Sequence, residues 1–299
     1  MDHLRTLSVF AAVAEESGFA AAARRMNMSP PSVTRAISEL EARLGARLLH
    51  RTTRTVSLTV TGRHYYDDVK RILSDIEDAD RHASGLHASP SGEVSVTASV
   101  LFGRMIVAPA LFKLLDRFPQ IAVSTLFVDR VVHMVDEGLD VAVRIAELPD
   151  SSLSAVRVGS VRRVLCASPE YLNKHGRPDR TEDLRDHEII SFASSAPKAR
   201  WDLQSGDENL RIKLPSRLTT NTADVALAAA RSGRGITRVL SYMIAEDVAA
   251  GRLEEVLPES SPAAVPVHVV HRESGHVSAR VRVVLDHLVS SLRGLPVLR

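Results

Sequence analysis

Six side chains near the start of the chain carry groups suited to nucleic-acid chemistry. Ser32, Thr34, Arg35 and Ser38 open a segment whose apolar residues, Val33, Ile37, Leu40 and Leu44, recur at helical spacing, so donors and aliphatic chains fall on opposite faces. Arg51 and Arg54 follow in a β-prone stretch with no acidic residue beside them. Hydroxyl and guanidinium groups hydrogen-bond phosphate oxygens and base edges. A major groove about 12 Å wide admits one helix, whose N-terminal turns reach the bases first.

Three helices and a hairpin have to position these residues. Leu4, Leu7, Phe10, Val13 and Ala14 define a first helix that stops at Ser17-Gly18, and Phe19 to Met26 reads as a second, rich in alanine. Asn27 suits the turn. Ser29 is placed to cap a third helix, Pro30 takes its first position, and Gly45 ends it. Two helices joined by a tight turn have the layout of a groove-reading motif, and on helical pattern alone an ordinary three-helix bundle with a polar surface fits equally well. The next stretch favours the first reading. Val56, Leu58 and Val60 alternate with Ser57 and Thr59, as in a hairpin, and Arg51 and Arg54 fall near its tip. Two solvated surface arginines are the lesser alternative.

The 299 residues, 44% apolar and 25% charged, are enough for a buried core, and chains beyond about 250 residues tend to split into domains. Net charge is only +2, but residues 1–64 hold nine arginines and no lysine against five acids, a local +4. One cysteine, Cys166, excludes an intramolecular disulfide and a thiolate zinc site, and fits a reducing compartment. The opening Met1-Asp2-His3-Leu4-Arg5 has no leader pattern, and no apolar run approaches the ~18 residues of a membrane span. The expectation is a soluble, unprocessed, cytoplasmic protein without a membrane partner.

At this point a resemblance becomes specific. Phe19-Ala20-Ala21-Ala22-Ala23, Ser29-Pro30-Pro31-Ser32-Val33-Thr34-Arg35-Ala36-Ile37, Leu40-Glu41 and Leu44-Gly45 resemble the helix-turn-helix of LysR-type transcriptional regulators. Arg51-x-x-Arg54-x-x-x-Leu58-Thr59-x-x-Gly62 resembles their wing. About ninety residues match closely and the remainder in layout. The resemblance implies DNA contacts from Ser32, Thr34 and Arg35 on the recognition helix and from Arg51 and Arg54 on the wing. Pro30 stands where many members carry Gln, which removes an amide-to-adenine contact and implies a different DNA preference. It also implies a multi-domain fold: an N-terminal all-α winged helix-turn-helix (1–60), a long linker helix (61–87), a hinge (88–92), and a C-terminal α/β two-lobed effector domain (93–299) like a periplasmic binding protein.

Residues 61–86 contain no proline, and their two glycines, Gly62 and Gly85, lie near the ends, so a helix of about 39 Å is expected. Tyr65, Val69, Ile72, Ile76, Ala79, Ala83 and Leu86 alternate at steps of four and three, a heptad seam. No second long helix lies nearby in sequence, so self-association is favoured over packing on the chain's own domain. A dimer would hold two recognition helices about 34 Å apart, one duplex turn, and implies a near-palindromic operator.

Ala88-Ser89-Pro90-Ser91-Gly92 reads as a hinge. Beyond it strand and helix patterns alternate: strands near 94–98, 121–128 and 139–145, helices near 105–118 and 131–136, then a second series through 164–167, 188–192, 223–231 and 236–239. A strand at 265–269 and a helix at 277–292 close the chain, and the whole argues for an α/β fold with a largely parallel sheet. The resemblance implies that these last elements return to the first lobe, through crossovers near 160–163 and 261–265, giving lobe I (93–162 and 266–299), lobe II (163–265) and a cleft between them. Gly251-Arg252-Leu253 with Val256-Leu257 is similar to the family's stretch before that return. Ligands of open α/β sheets sit at strand carboxyl ends near helix N-termini. That rule singles out Ser99, Arg144, Asn221, Thr222, Thr237 and Arg238, although for any single one of them a cap or surface polar group is the commoner role. Trp201 reads as a core aromatic.

Catalytic readings find little support. Gly233-x-Gly235 lacks a third glycine, and His268 and His271 would point to opposite faces of a strand. No G-x-S-x-G, P-loop or H-E-x-x-H occurs. The expectation is therefore no enzyme, catalytic residue, metal or cofactor. The partners implied are promoter DNA, a small organic effector such as a carboxylate, further copies of the chain in a homodimer or homotetramer, and RNA polymerase. An enzyme or transport-type binding protein on the same two-lobed domain would have no use for the first ninety residues. A DNA-bound regulator without a small ligand stays open.

Overall fold

The computed structural model describes residues 2–51, 56–83, 90–148, 153–192, 199–205, 208–272 and 277–299. The chain opens with α1 (His3–Glu16), α2 (Phe19–Arg25) and α3 (Pro30–Leu44), then the antiparallel pair β1 (Leu49–Arg51) and β2 (Val56–Leu58). Local chemistry sets these limits. Ser17 and Gly45 end α1 and α3 in the left-handed region, at φ 49° and 64°. Asn27, at φ 50°, makes the turn between α2 and α3. The Ser29 hydroxyl accepts the Ser32 N–H at 3.3 Å, capping α3 with Pro30 at its first position. Phe10, Val13, Ala22, Val33, Ile37 and Leu40 are buried together beneath Leu48 and Leu49 of the wing.

Helix α4 (Val60–Ala83) begins where the Thr59 hydroxyl accepts the Gly62 N–H at 2.9 Å. Its first half is not a free seam. Val69 is fully buried in the N-terminal core, and Tyr65 packs on Phe10 with ring centroids 5.5 Å apart. The face read as a dimer stripe is shared, because the helix leaves the wing lying against α1. Val69 is thereby withdrawn from any partner. Ile72 is 46% exposed and Ile76 half-buried, while Ala79 and Ala83 continue along the helix. Leu86 lies outside the described residues, as do residues 88 and 89 of the hinge.

The C-terminal part begins with β3 (Gly92–Ala98) and α5 (Val100–Phe102), joined through a π-helical turn (Gly103–Val107) to α6 (Ala108–Arg117). β4 (Ile121–Phe127), β5 (Val141–Ile145) and β6 (Leu153–Val161) follow. The chain then passes to β7 (Arg163–Ala167), α7 (Pro169–His175), β8 (Ile189–Phe192), β9 (Ala199–Ser205), β10 (Glu208–Leu214), β11 (Leu218–Thr220), α8 (Ala223–Arg231), β12 (Ile236–Leu240), α9 (Ser241–Ala249) and β13 (Glu254–Val256). It returns with β14 (Val265–Arg272) and α10 (Ala279–Arg293). Two five-stranded sheets result, ordered β4-β3-β5-β14-β6 and β11-β8-β12-β7-β13, with β9 and β10 a separate hairpin.

The sheets are mixed rather than largely parallel. β14 runs antiparallel to both β5 and β6, and β7 antiparallel to both β12 and β13. Trp201 is buried on β9 with Leu203, Ile212 and Leu214. Gly233 and Gly235 make the turn into β12; a Cβ at Gly235 would fall 2.2 Å from the Glu188 carbonyl oxygen, so the glycine pair serves backbone approach. The helix expected over residues 131–136 is absent. Val132, Met134 and Leu139 turn into a small cluster with Ala142 and Val270, a spacing that one helix face would not satisfy, and Gly138 turns the chain at φ 66°. Among the described residues no helix is long and apolar enough to cross a membrane.

Candidate functional site

Two sites follow from this frame, an exposed helix face and a cleft. On α3, Thr34, Arg35 and Ser38 are exposed and Ser32 is half-buried. The Thr34 hydroxyl donates to the Pro30 carbonyl at 3.0 Å, and the Ser32 and Ser29 hydroxyls lie 2.8 Å apart, so both rotors are set by the helix start. Arg35 makes no ion pair among the described residues, which leaves its guanidinium available to an external anion.

Arg51 does have an acidic neighbour, contrary to its sequence context. Its Nη2 donates to Glu41 Oε2 at 2.8 Å, and its guanidinium lies 5.2 Å from the Phe19 ring centroid. Glu41 Oε1 meanwhile accepts the N–H groups of Leu48 and Leu49 at 2.8 and 3.1 Å. One carboxylate thus ties the recognition helix to the wing and aims its first arginine. Arg54 lies outside the described residues.

A cavity of about 1060 Å³ opens between the two sheets. Ser99 lines it at the end of β3, Arg144 from β5, and Thr222 at the head of α8. Arg144 Nη2 donates to the Val132 carbonyl at 3.3 Å, and burial draws its pKa below the usual guanidinium value, with Glu137 opposing. Asn221 is exposed but is not on the cavity wall.

Thr237 and Arg238 do not belong to this wall. Thr237 is fully buried, its hydroxyl donating to the Ile190 carbonyl at 3.1 Å inside the sheet. Arg238 points to the hairpin, bonding the Asp202 carbonyl at 3.0 Å and lying 5.9 Å from the Trp201 ring; burial and Arg163 lower its pKa to about 10. The cavity touches β12 only at its last residue, Leu240.

Sequence reasoning missed Asp129, Arg130 and His133, which follow β4, and Phe192, Asp224 and Met243 from the second lobe. Asp129 and its neighbours lie just after a strand's carboxyl end, the signal that identified Ser99; reading residues 131–136 as a helix hid them. Asp129 Oδ1 accepts the Val100 N–H at 3.0 Å, and Arg104 bridges the lobes by binding Asp224 at 2.7 Å. Behind Ser99 the buried Tyr242 phenol stacks edge-on against Phe102, and burial pushes its pKa up, with Ser99 lowering it and Asp129 raising it. Cys166 is fully buried, its thiol pushed up to about 12 by burial and Asp247, with Arg231 opposing. Among the described residues no three His, Cys, Asp or Glu side chains are grouped to hold a metal.

A helix-turn-helix head joined by a long helix to a two-lobed cleft domain defines a one-component DNA-binding regulator. Residues 4–63 match the bacterial regulatory helix-turn-helix model of the lysR family, and residues 87–293 match the LysR substrate binding domain. The chain belongs to the LysR family of transcriptional regulators, and is not an enzyme. It is 34% identical to an HTH-type transcriptional repressor of Pseudomonas aeruginosa, over 94% of this chain and 90% of the relative. It is 34% identical to the regulator DmlR of Escherichia coli, over 95% and 93%. The solved structure of CrgA from Neisseria meningitidis, 32% identical, superposes over 96% of this chain and 98% of that one with a TM-score of 0.62.

Proposed function

We propose that this regulator reads promoter DNA through Thr34, Arg35 and Ser38 on α3, oriented with Ser32 at its first turn, while Arg51 and Arg54 of the wing hold phosphates or the minor groove. The observation that carries the reading is the exposed α3 face with a guanidinium unpaired among the described residues, set in a head of net +4. Phosphate contact supplies most of the affinity and base contact the selectivity. A small organic effector occupies the inter-lobe cavity. Ser99, Arg144 and Thr222 from its wall contact it, and Asn221 stands beside its rim.

The working unit is a homodimer or homotetramer in the cytoplasm, paired through the outer face of α4 at Ile72 and Ile76. Effector binding changes the relation between the lobes, hence between subunits, and so DNA bending and polymerase recruitment. It can do this only by favouring one assembly state over another.

The test is fluorescence anisotropy of the full chain on DNA from upstream of its own gene, across a salt series, against scrambled DNA. Selective binding with a steep salt slope is expected. Arg35→Ala should cost about 1–3 kcal/mol and relax selectivity, whereas Arg51→Ala should weaken all sequences alike and flatten the slope by about one. Absence of any preference at every salt, together with failure of genome-wide selection to find a site, would overturn the reading.

A further inference from the structure

The cavity has an unexpected charge balance. Four carboxylates line it, Asp129, Asp136, Glu147 and Asp224, against two guanidinium groups, Arg130 and Arg144. Two of these charges are already neutralised from outside the wall. Arg130 is held by both oxygens of Glu137, at 2.7 and 2.6 Å, and Asp224 by Arg104. What remains is Asp129, Asp136 and Glu147 against Arg144, and none of the three carboxylates has an ion-pair partner among the described residues. Arg144 is turned to the Val132 carbonyl and half-buried.

The second observation concerns where an anion would sit. The backbone N–H of Val100, beside Ser99, is the donor that a ligand carboxylate would seek at the end of β3. The chain's own Asp129 takes it, at 3.0 Å. A ligand carboxylate would have to expel Asp129 or lie against it, and two carboxylates sharing a site cannot both ionise without cost. Asp129, Asp136 and Glu147 are exposed, so their charge is open to solvent, and beside the cleft's apolar walls its sign favours cations over anions. Apart from the polar Ser99, His133 and Thr222, the rest of the wall is aliphatic or aromatic, with Val131, Val132, Phe192, Leu240 and Met243 among its members.

We propose that the effector is an organic amine, a protonated ammonium on an apolar skeleton, whose charged group is received by Asp129 at the head of α5. This departs from the carboxylate expected at the outset, and it rests on the reading that the inter-lobe cleft is the effector site. An ammonium gains a charge-assisted hydrogen bond from the carboxylate, while its skeleton displaces water from the apolar wall.

The test is calorimetric titration of the full-length chain with alkyl and arylalkyl amines, from hexylamine to 2-(1-naphthyl)ethylamine, each beside its carboxylate and alcohol counterpart. The best amine should bind at least about tenfold tighter than its matched acid. Asp129→Asn, which keeps an oxygen for the Val100 N–H, should reduce the amine to the level of the alcohol. An acid that binds tighter than its amine, equal binding of all three, or an amine preference that survives Asp129→Asn would each overturn the proposal. Thr222→Trp, which fills the cleft, separates the two readings. If it abolishes binding in those cases, the cleft remains the effector site and only the amine assignment falls. If no compound binds, or if binding is unchanged in Thr222→Trp, the cleft reading falls and takes the amine with it.

Discussion

Glu41 performs three tasks with two oxygens, and they can be separated by substitution. Glu41→Ala leaves the buried N–H groups of Leu48 and Leu49 without an acceptor and should cost about 2 kcal/mol of stability. Glu41→Gln keeps an amide oxygen for those donors and loses mainly the charge opposite Arg51, so its cost should stay below about 1 kcal/mol. Urea unfolding of the two variants measures the difference; equal costs would mean that the ion pair and not the backbone bonding is what Glu41 supplies. The Glu41 and Arg51 pairing was not legible in sequence, because ten residues and a change from helix to strand separate the partners. Thr237 failed as a candidate for a related reason. The strand-end rule names a neighbourhood, and only the paired register shows that its hydroxyl is spent on Ile190 within the sheet. Ser99, Thr222 and Arg144 were legible as positions on the cavity wall, because each lies at or near a strand end or a helix start beside the cleft.

At the scale of elements, periodicity disclosed which faces are buried and left open what covers them. The seam from Tyr65 to Ile76 is real as an apolar stripe, yet its first turns close the head's own core. Residues 131–136 show the opposite failure, since valines at helix-like intervals serve a loop that packs on alternate residues. The motif Thr59-x-x-Gly62 was visible as a pattern, and its cause is steric. A Cβ on Gly62 would lie 1.9 Å from the Leu48 carbonyl oxygen, where α4 leaves the wing. Gly62→Ala must push the helix start away from the wing, and a loss of about 1–3 kcal/mol is expected from such overpacking. Tyrosine fluorescence during thermal unfolding reports it through Tyr65 and Tyr66, which pack on Phe10. An unchanged melting temperature would mean that α4 enters the wing at a different angle.

For the molecule as a whole, the informative junction is where α4 meets the first lobe. Lys70 reaches Glu93 at 3.2 Å and Arg280, almost fully buried, reaches Asp75 at 3.1 Å, so the rod that carries the DNA-binding head is tied electrostatically to the effector domain. Asp140 lies in the same polar pocket, its carboxylate accepting the Ser95 N–H at 2.8 Å. Burial pushes its pKa up, against the Ser95 hydrogen bond and the charges of Arg280 and Arg71, while Asp75 adds to the rise. A carboxyl whose folded pKa exceeds its unfolded value, about 3.9, stabilises the fold while protonated. That contribution is complete below the unfolded value and is lost as pH rises through the folded one, so at neutral pH the ionised Asp140 works against the junction. Asp140→Asn retains an oxygen for Ser95 and removes the charge. It should therefore melt above the parent chain at pH 7, with the gap closing as pH is lowered toward 4. Thermal unfolding in a pH series reads this directly. A variant that melts below the parent at pH 7 would show instead that attraction to Arg280 and Arg71 outweighs burial, and that Asp140 holds the linker helix to the lobe by its charge.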